Sequence, residues 1–147
     1  MRILCLDIGS TTQDILFLAT EQPIENAVQL VLPSPTILVA GEIQEATRQH
    51  KNIVLTGETV GGGAGTSAIK RHLESGLKVY ATENAARTFD DDLEEVASWG
   101  IRLIAEGEKA DSGNSTTVTL ADIDLERLRK ALSHWKIDLQ PDAVAVA

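Results

Sequence analysis

The sequence predicts an α/β protein, with a mixed sheet opened by an antiparallel hairpin and flanked by helices. Three observations carry that expectation. Residues 2–8 (RILCLDI) and 13–19 (QDILFLA) are apolar runs of strand length separated by four turn-prone residues. Further along, short runs rich in Val, Ile and Leu alternate with stretches of helical spacing, the order expected of parallel strands joined by crossover helices. Glycines follow two helical stretches, at Gly76 and Gly100, where left-handed caps are common.

A third strand is expected over 27–32 (AVQLVL), stopped by Pro33 and Pro35 because proline donates no ladder hydrogen bond. From Thr36, the three- and four-residue spacing of Val39, Ile43 and Ala46 predicts a helix to about residue 49. Residues 52–57 (NIVLTG) read as a buried strand and 58–66 (ETVGGGAGT) as a glycine-rich loop. A helix over 67–75 follows, with Ile69 and Leu73 on one face, and then a strand over 78–82 (KVYAT). A short helix over 84–88 leads into DDDLEEVASWG, where Asp91 with Glu94, or Asp92 with Glu95, has the spacing of an N-terminal cap. IRLIA at 101–105 is a strand, and the polar segment 106–117 is a mobile loop. A strand over 117–123 and a helix over 125–135 complete the alternation, with Leu125, Leu128, Leu132 and Trp135 on one stripe. The closing DAVAVA, 142–147, reads as a strand buried in a sheet and cut off before its connection.

The bulk properties narrow the function. At 147 residues and 43% hydrophobic content the chain can bury a core as one domain without disulfides. Against 13 basic residues stand 22 acidic ones, and the net charge of −9 repels nucleic-acid backbones and anionic membrane surfaces. Neither partner is expected. Cys5 is the single cysteine and reads as a small buried thiol in a reducing compartment. The first apolar run is broken by Asp7, and no run is long enough to span a bilayer, so a cytoplasmic protein is expected.

The chemistry is expected at LDIGSTTQDILF, residues 6–17. Gly9 can gather amide N–H groups on one side, and Ser10, Thr11 and Thr12 add hydroxyl donors, a combination suited to a phosphate. Asp7 and Asp14 would repel that phosphate unless a cation lay between. Mg²⁺ takes oxygen ligands and commonly bridges one or two carboxylates to substrate phosphates. The plainer reading is that Gly, Ser and Thr form an ordinary turn whose flanking Asp accepts backbone hydrogen bonds.

This stretch resembles the first phosphate motif of the actin, sugar kinase and heat-shock chaperone superfamily, where an Asp, a Gly and hydroxyl residues form the hairpin between the first two strands. Three strands followed by a helix also match that superfamily's opening order. The resemblance implies an actin-like ATPase (ribonuclease H-like) lobe over 1–147 that binds Mg²⁺ and ATP. Asp7 would stand near the metal through water, Gly9 to Thr12 would surround a phosphate, and Asp14 has a counterpart only in some branches. Over almost its whole length the chain resembles a prokaryotic family of unknown function. The segments carrying that resemblance are LVLPSPT at 30–36, TGETVGGG at 56–63, VYATENAARTFDDDLE at 79–94 and DAVAVA at 142–147. Members of that family run longer, which implies an N-terminal part of a two-lobed protein, completed by a C-terminal lobe or a homo-oligomer. Some relatives carry the label pyruvate formate-lyase activating enzyme. Radical activation by an iron–sulfur cluster needs several thiolates, and here there is only Cys5.

The second glycine loop offers Gly61, Gly62, Gly63, Gly65 and Thr66 as phosphate contacts at the start of a helix. It lacks the Lys-Ser/Thr of a P-loop. Gly63, Gly65 and Ala68 satisfy G-x-G-x-x-A, and Glu83 ends the next strand, so a dinucleotide-binding domain is a rival reading. A non-catalytic binding or assembly domain is another. Asp90 to Asp92 suit helix capping better than metal binding. His50, His72 and His134 share no ligand spacing and are expected at the surface or partly packed, while Arg87 has no role that spacing assigns.

Overall fold

A computed structural model describes residues 1–108, 110 and 114–147. In chain order the elements begin with strands β1 (Arg2–Ile8), β2 (Thr12–Ala19) and β3 (Val28–Pro33), then helix α1 (Pro35–Arg48), β4 (Asn52–Glu58), α2 (Gly63–Glu74) and β5 (Val79–Thr82). They continue with α3 (Glu83–Arg87), α4 (Leu93–Ser98), β6 (Ile101–Ile104), β7 (Ser115–Ala121), α5 (Leu125–Ser133) and β8 (Ala143–Val146). The chain divides into two compact units, residues 1–34 with 123–147, and residues 35–122. Of the loop expected over 106–117, residues 109 and 111–113 lie outside the described residues, and 115–117 already belong to β7.

The first unit holds the mixed sheet, in the order β3-β2-β1-β8. Strands β1 to β3 are antiparallel neighbours, and β8 runs parallel to β1 with Ile3 beside Ala143 and Leu6 beside Val146. Because side chains alternate across a strand, Leu4, Leu6, Ile15 and Phe17 share one face. There they are buried against Leu128 and Leu132 of α5 and against Leu139. Asp124 starts that helix by accepting the Arg127 N–H at 2.8 Å. Leu128 and Leu132, four residues apart, each contribute about 1.5–3 kcal/mol by leaving water.

Three expectations change in this unit. Trp135 is 72% exposed, because α5 stops at Ser133 and the chain turns through a left-handed Lys136 before the stripe can continue. Strand β8 forms, yet its four residues are all exposed, since it pairs only with β1 at the sheet's edge. The helix that follows β3 in sequence, α1, belongs to the other unit, and it is α5 that covers this sheet.

The second unit is a wholly parallel sheet in the order β6-β5-β4-β7, distinct from the sheet that the hairpin opens. Its core joins Ile53, Leu55, Val79 and Val118 of the strands to Val39 and Ile43 of α1 and Ile69 of α2. From β4 the chain steps outward through β5 to β6, then returns to place β7 on the other side of β4. Capping is as the acidic run predicts: Asp92 accepts the Glu94 N–H at 2.9 Å at the start of α4, and Asp90 accepts the Asp92 N–H. Among the described residues the Glu95 carboxylate makes no reciprocal bond and accepts the Trp99 indole N–H instead, at 2.9 Å. Arg87 bonds the Glu83 carboxylate at 2.9 Å and the Asp91 carbonyl at 3.0 Å, tying α3 to the turn before α4. Among the described residues, no helix is long and apolar enough to cross a membrane.

Candidate functional site

The β1–β2 register sets Asp7 directly opposite Asp14. Both lie on the face opposite Leu6 and Ile15, so neither is drawn into the core. Directly paired residues on one sheet face have Cβ atoms about 4.5–5.5 Å apart, which makes this a close pair of like charges. Both residues are exposed, and neither has a hydrogen-bond or ion-pair partner among the described residues. In particular, Asp7 is not held by main-chain amides. Beside them is a cavity of about 280 Å³, walled by Cys5 and Leu16 and by Ala145 and Ala147 at the end of the chain. Cys5 is therefore half-exposed at the cavity and not the buried thiol expected, because nothing in its own unit covers this face as α5 covers the other.

The turn differs from expectation in its donors. Gly9 has no left-handed φ, and its amide is committed to the Thr12 carbonyl at 2.9 Å. A Cβ on Gly9 would stand 3.1 Å from that same carbonyl oxygen, so it is the close return of the chain that selects glycine. Ser34, fully buried, pins the turn from behind: its N–H reaches the Thr11 carbonyl and its hydroxyl the Ser10 carbonyl. Thr12 is already a strand residue and shares the face of Asp14. The Thr11 and Thr12 hydroxyls are exposed and remain available for an anion.

Among the described residues no three His, Cys, Asp or Glu side chains form a metal-holding group. Two carboxylates suffice for Mg²⁺, which keeps much of its water.

The second glycine loop lies in the other unit. Gly61 and Gly62 precede α2, while Gly63, Gly65 and Thr66 form its first turn, four residues before the predicted start. Gly62 has a packing reason of its own: a Cβ there would fall 2.2 Å from Thr66 Oγ1 and 2.7 Å from the Phe89 ring. No side chain caps α2, and the Gly65 and Thr66 amides both turn to the Gly62 carbonyl. The loop is anchored by Asp122, whose carboxylate accepts the Val60 N–H at 3.0 Å, and by the Thr88 hydroxyl, which accepts the Thr59 N–H. The G-x-G-x-x-A residues Gly63, Gly65 and Ala68 thus lie within the helix, and Glu83 starts α3 directly after β5, paired with Arg87.

Residues 60–147, more than half of the chain, match the model of a family described as "Putative pyruvate format-lyase activating enzyme (DUF1786)". The chain belongs to this family. The matched segment of this DUF1786 member runs from the glycine loop through α2 and strands β5 to β7 to α5 and β8, and leaves the hairpin, β1 to β4 and α1 outside. No curated protein sequence matches the chain significantly.

One group in the matched segment departs from expectation. His72 is fully buried. Its place was legible, since Gly65, Ala68, Ile69 and His72 follow helical spacing on the inner face of α2. Its Nδ1 lies 2.7 Å from Thr47 Oγ1, and Nε2 has no partner. Burial holds the imidazole pKa below its ordinary value, partly opposed by the Lys78 carbonyl. The unfolded chain therefore takes up this proton first as pH falls. Stability from the neutral ring is complete above the unfolded pKa of about 6.5 and is lost as pH falls through the lower folded value. Melting temperature should drop as pH falls below about 6.5, and His72→Leu should flatten that slope. An equal slope in the variant would assign the pH dependence elsewhere.

Proposed function

We propose that this chain is the Mg²⁺-dependent nucleotide-binding lobe of an actin- and sugar-kinase-like protein. One observation carries the reading: Asp7 and Asp14 face each other over an open cavity, with no cation or amide among the described residues to neutralise them. Two adjacent carboxylates destabilise a sheet face unless a cation joins them, and a Mg²⁺ held there would present its open positions to phosphate oxygens. In this reading Asp7 and Asp14 serve the metal, and Thr11 and Thr12 donate to a phosphate of ATP beside the tight turn at Gly9 and Ser10. The amides of Gly61, Gly62 and Gly63 would serve a phosphate at the start of α2, those of Gly65 and Thr66 being taken by the Gly62 carbonyl. Within the first unit the order β3-β2-β1-β8, with α5 leading into a β8 parallel to β1, supports the superfamily resemblance, although α1, the helix next in sequence after β3, lies in the other unit. Such proteins close a cleft between two lobes, so turnover would call for a further lobe or a second copy. The radical chemistry in the family's description would need several thiolates, where this chain supplies Cys5 alone.

Cys5 makes the reading testable, being the single thiol and a wall of the cavity. MgATP should slow its alkylation by iodoacetamide, ATP with chelator should not, and Asp7→Ala should remove the protection. Equal alkylation under all conditions would favour a non-catalytic binding or assembly domain.

A second reading is favoured by the strand order of the parallel sheet. In doubly wound sheets the ligand lies outside the carboxyl ends of the strands where their order reverses, and the glycine loop leaves β4 at such a reversal. A dinucleotide-binding unit would bind NAD without metal and lose affinity on Glu83→Ala.

A further inference from the structure

In the first unit, α5 and the loop behind it line a second cavity, open to solvent and of about 710 Å³. Two cations line it, Arg129 and Lys136. Neither has a carboxylate within ion-pair distance among the described residues, whereas Arg2, Arg48, Arg87 and Arg127 each have one. Arg129 is held in place, its Nε donating to the carbonyl of the buried Leu139 at 3.0 Å, which leaves the terminal guanidinium N–H groups uncommitted. The acid at this cavity, Asp138, is engaged by Arg2 at 3.6 Å. Ser133 also lines it, with its hydroxyl proton given to the Lys130 carbonyl.

Lys136 occupies a position that glycine usually fills. Its φ is 59°, its N–H bonds the Ser133 carbonyl and the next N–H bonds that of Leu132, the paired bonds that end a helix on a left-handed residue. His50 does the same after α1, so the conformation by itself marks no site. It does separate two roles of one residue. Glycine at 136 would relieve the backbone and remove the ammonium together.

We propose that this cavity binds a phosphate monoester. A planar guanidinium donates two parallel N–H bonds to phosphate oxygens, an ammonium adds a point charge, and two free cations match a dianion. The volume is that of small-molecule sites, leaving room for the organic part of the ligand. This site is independent of Asp7 and of Mg²⁺.

The test is calorimetric titration of the full chain with inorganic phosphate and with glycerol 3-phosphate in chelator-containing buffer. Binding should weaken by about tenfold or more in Arg129→Gln and in Lys136→Gly. Lys136→Gly should also melt higher than the parent. Lys130→Gln, which removes a cation outside the cavity, should bind as the parent does. The proposal is overturned if the parent binds neither anion, if both cavity variants bind normally, or if Lys130→Gln weakens binding as much as they do.

Discussion

Replacing Gly57 by alanine should destabilise the protein by about 2–5 kcal/mol. Gly57 sits near the end of β4 with φ of 74°, a conformation that costs an L-residue about 1–2 kcal/mol. It also pairs with Leu120 of β7, and an added Cβ would fall 2.2 Å from the Leu120 carbonyl oxygen. That obstacle is backbone, so no rotamer change relieves it and β4 must part from β7. Gly41 is the control, lying within α1 where an added Cβ would meet nothing within 4 Å. Gly41→Ala should stabilise by about 0.5–1 kcal/mol through helix propensity. Urea denaturation of both variants measures the contrast. An unchanged midpoint for Gly57→Ala would contradict the close approach of β4 and β7.

Neutralising Asp7 should change the sign of its effect on stability with the metal. In chelator, Asp7→Asn removes a like-charge pair across two strands and should raise stability by about 0.2–1 kcal/mol. With Mg²⁺ and ATP at about a hundred times their dissociation constant, the parent gains about 2.7 kcal/mol by mass action and the variant gains nothing. The order of melting temperatures should therefore reverse between the two buffers. A variant less stable than the parent in chelator would mean that Asp7 holds the turn together through its own hydrogen bonds.

The hairpin was legible because alternation and turn chemistry agree over residues 2–19, and alternation alone puts Asp7 and Asp14 on the face away from Leu6. Asp92 was legible as a cap because its chemistry is local. The neighbour of β1 was not: β8 joins it from the far end of the chain, and periodicity within a strand says nothing of its partners. The same limit hid the division into two sheets and the exposure of Cys5 and β8, since an apolar run looks alike whether or not a layer covers it. The start of α2 was missed because glycine is a poor helix former. There, packing of Gly62 against Phe89 and of Gly63 against Thr36 outweighs propensity. Trp135 continued the apolar spacing of α5, but the helix ends before reaching it.

A divalent cation should join Asp7 and Asp14 to a nucleotide's phosphates. Calorimetric titration with ATP, with and without Mg²⁺, on the parent and on Asp7→Ala tests it most directly. Heat is expected in the parent only when Mg²⁺ is present, and none in the variant. Binding that is the same without metal, or that survives the loss of Asp7, would contradict it.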